Sequence, residues 1–187
     1  GKVCIRSSSN IYNISLMAAM VSRMGEAAAE DWAAGVVANF ARTPQSNDTG
    51  QIRAVASGEC QIGVANTYYL ARLAASDDPA DQAVSSAVEI VFPGQEGNGT
   101  HVNISGAGLV STSPNPENAI KFLEYLTSES AQLLFANGNY EYPAVPGIAA
   151  TSAVVGLGEF NEDMLNASEL GINQAAAIMV FDRAGWK

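Results

Sequence analysis

The stretch that most constrains the fold is Gln61-Ile62-Gly63-Val64-Ala65-Asn66-Thr67-Tyr68-Tyr69. A short apolar run after the turn-like Ser57-Gly58-Glu59 reads as a strand buried on both faces. Asn66-Thr67 then supplies a helix N-cap for the segment through Leu73. In open α/β sheets, ligands sit at the carboxyl ends of strands, where helix N-termini present unpaired N–H groups. Tyr68 and Tyr69 fall at such a corner. A tyrosine pair commonly serves packing alone. Phenolates are hard anionic oxygens, however, and a phenol that loses its proton near pH 10 ligates only a metal acidic enough to displace it, which favours ferric iron over softer divalent ions.

A second corner of the same kind opens the chain. Val3-Cys4-Ile5 reads as a strand and runs directly into Arg6-Ser7-Ser8-Ser9-Asn10. Ile11, Tyr12, Leu16, Met17, Met20, Val21 and Met24 then recur at helical spacing, with Ser9 or Asn10 as cap and Gly25 as stop. Three hydroxyls and a guanidinium at a helix N-terminus suit a small oxyanion, although the same residues also make an ordinary capping loop.

Further along, a helix is expected from Ala27 to Ala41, a loop over Thr43 to Asn47, and a helix from Thr49 to Ser57 capped by Asn47 or Asp48. Ser76 to Ala83 reads as a loop with a short helix. Val88 to Pro93 reads as a strand, Gly94 to Gly99 as a hairpin turn, and Thr100 to Val110 as an extended crossing that carries His101. A helix opens at Pro116, another is capped by Ser128 and closed by Asn137-Gly138, and a last one runs from Gln174 to Ala184. Alternating strands and helices predict an α/β layer arrangement.

Of the 187 residues, 48% are hydrophobic, enough for a packed core, and the net charge of -10 argues against nucleic acid or anionic membrane as partners. With one histidine, Cys/His zinc patterns are excluded. Cys4 and Cys60 border predicted strands and could either bridge, as in an oxidising compartment, or remain two buried thiols. A hydrolase using Ser7, Ser8 or Ser9 with His101 lacks a Gly-x-Ser-x-Gly elbow, and the chain is read as no enzyme.

Several segments together resemble the periplasmic ferric-iron-binding proteins that feed ABC importers, particularly the cyanobacterial kind. They are Cys4 to Asn13 (Cys-Ile-Arg-Ser-Ser-Ser-Asn-Ile-Tyr-Asn), Asn39-Phe40-Ala41-Arg42, Asn66-Thr67-Tyr68-Tyr69, Gly99 to Gly108, Asn118 to Leu126, and Tyr140-Glu141-Tyr142-Pro143. The resemblance implies an α/β fold of the type II periplasmic substrate-binding protein, with a lobe built on a mixed sheet flanked by helices and part of a second lobe. It implies Fe3+ held by Tyr12, Tyr68 and Tyr69, with a synergistic anion such as carbonate near Arg6, Ser7 and Asn66. It also implies a periplasmic location and an inner-membrane ABC permease as partner.

Proteins of that kind are usually much longer. The resemblance therefore implies that residues 1–98 and 150–187 form the C-terminal-type lobe, and that 99–149 form the hinge crossing and a remnant of the N-terminal-type lobe. Most of the N-terminal lobe would be missing, and that missing lobe or a second copy of the chain would be a further partner. The alternative from the residues alone is a periplasmic oxyanion receptor without metal.

Overall fold

The computed structural model describes residues 1–45, 47–149 and 152–187; Ser46 of the expected loop and the expected boundary at residue 150 lie outside them. Two compact units are present, one of residues 1–103 with 160–187, the other of residues 104–159.

The first unit is built around a two-stranded parallel sheet. β1 (Val3–Cys4) pairs with β2 (Ile62–Gly63) in the register Val3 to Ile62 and Cys4 to Gly63, and on its other side Val3 bridges Phe40 in parallel. The sheet expected to be mixed is thus parallel in every described pairing. Cys4 and Cys60 form a disulfide with their Cα atoms 5.9 Å apart, closing the choice between bridge and free thiols. α3 (Asp48–Ala56) lies so close over β2 that a Cβ on Gly63 would meet Val55 Cγ2 at 2.9 Å. Glycine at that position is what lets helix and strand approach.

The core gathers α1 (Ile11–Met24), α2 (Glu26–Ala38) and α10 (Gln174–Ala184). Ala18, Ala29, Ala33 and Ala177 are wholly buried there, so small side chains set the helix approach, and Met17, Val180 and Phe181 fill the remainder. Trp186, just past α10, packs on Phe40 and Phe181 and donates its indole N–H to the Arg6 carbonyl at 3.1 Å. The core therefore reaches the backbone of the first corner. α4 (Thr67–Ala74), α5 (Pro79–Ser86) and α9 (Ala167–Ile172) complete the unit.

Several expectations fail here for identifiable reasons. The strand at Gln61 is not buried on both faces: α3 covers the face of Gly63, while Ile62 and Val64, which alternate with it, are 56% and 37% exposed on the other. Val88 to Pro93 is no strand, since among the described residues no neighbour offers it a ladder. Phe92 stacks on Phe160 instead (centroids 4.6 Å apart), and Val91 points outward. Gly94 to Gly99 does turn, yet it joins no hairpin and leads only to the parallel bridge between Thr100 and Glu162. α2 stops at Ala38, three residues early, because the chain must turn at Asn39 for Phe40 to reach Val3.

The second unit holds α6 (Pro116–Leu126), α7 (Glu129–Asn139) and α8 (Ser152–Val155). The buried Gln132 donates to the Leu126 carbonyl and accepts from the Ala144 amide, tying the α6 end and the following chain to α7. α7 runs through Gly138 instead of closing there, and Tyr140 takes the left-handed cap with φ of 62°. Tyr142 donates its hydroxyl to the Gly158 carbonyl at 3.0 Å.

Candidate metal centre

Because β1 and β2 are neighbouring and parallel, their carboxyl ends lie side by side and the helices that follow them start side by side. Tyr12 is the second residue of α1, and Tyr68 and Tyr69 are the second and third of α4. Equivalent positions on adjacent strand-to-helix corners bring the rings together. The Tyr12 and Tyr68 hydroxyls are 2.9 Å apart and hydrogen-bonded, and the Tyr68 and Tyr69 ring centroids are 4.3 Å apart. All three side chains are half-buried.

Two guanidiniums flank the phenols. Arg72, one turn beyond Tyr68, lies 4.9 Å from the Tyr68 ring centroid and 5.6 Å from that of Tyr69; Arg6 lies 5.8 Å from that of Tyr12. Burial pushes the Tyr68 hydroxyl well above the ordinary phenol range, and its hydrogen bonds with Tyr12 and Tyr69 push it further. Tyr68 therefore keeps its proton until a strong cation compensates the phenolate.

The first corner is held by Asn13. Its Nδ2 donates to the Arg6 and Ser7 carbonyls, and its backbone N–H donates to Asn10 Oδ1, the α1 cap. Ser7 and Ser9 hydroxyls bond to each other at 2.8 Å. The candidate anion donors Arg6 and Asn66 are both engaged by Asp48, a residue read from sequence only as a helix cap. Asp48 Oδ1 receives Arg6 Nη1 at 3.0 Å; Oδ2 receives the Asn66 N–H at 3.0 Å and its side-chain amide at 3.1 Å. Asn66 occupies the cap position of α4, but its side chain makes no capping bond and turns to Asp48 instead. Its own Oδ1 accepts from Asn103 at 2.9 Å.

His101 lies on irregular chain, with its Nε2 2.9 Å from the Ser15 hydroxyl, and burial lowers its pKa against the opposing effects of Asn103 and Asp163. The serine–histidine pairing that a hydrolase would need at Ser7, Ser8 or Ser9 is not formed. Among the described residues no three His, Cys, Asp or Glu side chains cluster to hold a metal.

An α/β lobe with a polar cluster where adjacent strands end is the architecture of a solute receptor, and residues 11–162 match the family described as bacterial extracellular solute-binding protein. The chain belongs to that family. It is 51% identical over 187 residues to iron uptake protein A1 of Synechocystis, covering all of this chain and 52% of that protein. It superposes on the Trichodesmium protein described as IdiA or FutA in complex with iron and citrate, with a TM-score of 0.97 and 55% identity over all of this chain and 59% of that one. Apo FutA2 from Synechocystis gives 0.96 and 45%, over all of this chain and 60% of the other. The chain thus spans about half the length of the curated relatives it matches.

Proposed function

We propose that this chain captures ferric iron for ABC-transporter-mediated uptake, with Tyr12, Tyr68 and Tyr69 as phenolate ligands. The observation that carries the reading is the 2.9 Å contact between the Tyr12 and Tyr68 hydroxyls, with the Tyr69 ring beside them. Three phenols from two corners converge where one hard cation would replace their shared protons. The relatives named for iron uptake support the choice of cargo. The Cys4–Cys60 disulfide supports an oxidising compartment such as the periplasm, with an inner-membrane permease as the receiving partner.

Binding converts neutral phenols to phenolates, whose charge the iron neutralises, while Arg6 and Arg72 lie close enough to stabilise developing negative charge on the rings. Remaining coordination positions fall to waters, to an oxyanion such as carbonate, or to oxygens from a further lobe or a second copy of the chain. Of the anion donors Arg6, Ser7 and Asn66, the first and last already hold Asp48, so an exogenous anion must share or displace that carboxylate. The same pairing gives the metal-free oxyanion receptor no support.

The test is titration with ferric citrate, followed by visible absorption. A phenolate-to-iron charge-transfer band is expected in this chain, weakened in the Tyr68→Phe/Tyr69→Phe variant, where Tyr12 remains, and absent when Tyr12→Phe is added. A band of unchanged position and intensity in the double variant would remove Tyr68 and Tyr69 from the metal.

A further inference from the structure

Asp48 is 2% exposed, yet it is neither a phenol nor placed as a metal ligand. A carboxylate so buried must be compensated, and the compensation comes from two different corners: a guanidinium from the β1-to-α1 corner, and a backbone and a side-chain N–H from the β2-to-α4 corner. Three elements therefore meet at one side chain. Neither contact is needed for α3 itself, whose cap is Asn47, accepting from the Gly50 amide at 2.9 Å. Asn66 gives up a capping bond to make its bonds to Asp48. Where a local rule is broken for a long-range contact, that contact has a use beyond helix formation.

We propose that Asp48 is the positioning residue of the tyrosine cluster: its two carboxylate oxygens clamp Arg6 and Asn66, and so set how closely Tyr12 and Tyr68 approach. Arg6 then stands over the Tyr12 ring, and Asn66 fixes the start of the helix on which Tyr68 and Tyr69 sit two and three residues later. The clamp holds the phenols together before the cation arrives. Metal sites lose about 10- to 100-fold in affinity when the groups that orient their ligands are removed, and a loss of that size is expected here.

The inference rests on the iron reading only for its consequence, so the experiment has a metal-free arm. Protein labelled with 13C at tyrosine Cζ is compared with its Asp48→Asn variant, first without metal by NMR and then with ferric citrate. The expected result is that the Tyr12 and Tyr68 resonances move, that of Tyr142 does not, and ferric affinity falls about 10- to 100-fold. Asp78→Asn, which removes a carboxylate charge at the exposed start of α5 while keeping an acceptor for the Ala80 amide, serves as the control and should change none of these. If Asp48→Asn does not fold, Asp48→Glu, which keeps the charge for Arg6 and displaces the carboxylate oxygens from the Asn66 donors, is read in the same way. Unmoved Tyr12 and Tyr68 resonances in a folded variant would overturn the proposal. So would resonances that move while ferric affinity stays at the unsubstituted value. Failure of the unsubstituted chain to take up iron refutes the iron reading, and the NMR arm still decides whether Asp48 positions the phenols.

Discussion

At the scale of single residues, the proposed site turns on Tyr68. Its hydroxyl is raised by burial first and then by Tyr12 and Tyr69, so the free protein holds that proton throughout the neutral range. Iron can bind there only by expelling it. The bound state then carries fewer protons than the free one, so affinity rises with pH and is lost as pH falls. Tyr68→Phe has no such proton to lose, and the slope of log affinity against pH should drop by about 1 in that variant, measured by competition with citrate from pH 6 to 8. An unchanged slope would mean that Tyr68 keeps its proton and stays off the metal. Of the residues around it, Tyr69 and Arg6 were visible as site candidates because each lies at a strand-to-helix corner, whereas Tyr12 read only as part of a helical period and Asn66 only as a cap until the family resemblance gave them a place in the site. Asp48 was not visible, because burial of an acid is a tertiary event. The one hint was that Asn47 and Asp48 competed for a single cap, which left one side chain spare.

At the scale of elements, what the sequence revealed followed from how local the determining forces are. α1, α7 and α10 announced themselves through caps and periodicity: Asn10 and Gly25 around α1, Ser128 before α7, and Gly185 after α10 in the left-handed region. Strands depend on partners far away in the chain. β1 and β2 pair over only two residues each, and the Val88 to Pro93 run, with as good an apolar pattern, pairs with no described strand. A pattern is not a ladder. The disulfide compensates for so short a sheet by fixing Cys4 of β1 to the residue two before β2, across a separation of 56 residues. Chain-entropy reasoning gives a ceiling of about 4 kcal/mol for a loop of that length. Reduction should therefore lower unfolding free energy by about 2–4 kcal/mol, read from urea midpoints with and without reductant. No shift would show that the sheet edge is secured by packing alone.

For the whole molecule, the acidic balance and the parallel corners fit a receptor for a cationic solute, and the match to relatives about twice as long sets the context in which it is read. The second unit leaves Ile120, Phe122, Tyr125, Leu134 and Phe135 exposed along α6 and α7. Apolar surface of that kind favours association. Sedimentation should therefore depend on concentration, and a Phe122→Ser/Leu134→Ser variant should weaken that dependence; a chain that sediments as a monomer at every concentration would contradict this. The central claim remains that phenolates of this chain bind ferric iron. Its most direct test is resonance Raman spectroscopy of the iron-loaded protein, excited in the charge-transfer band, with and without ring-deuterated tyrosine. The account predicts enhanced tyrosine ring and C–O modes that shift with the label and weaken in Tyr12→Phe. Iron bound at full stoichiometry with no label-sensitive modes would contradict it.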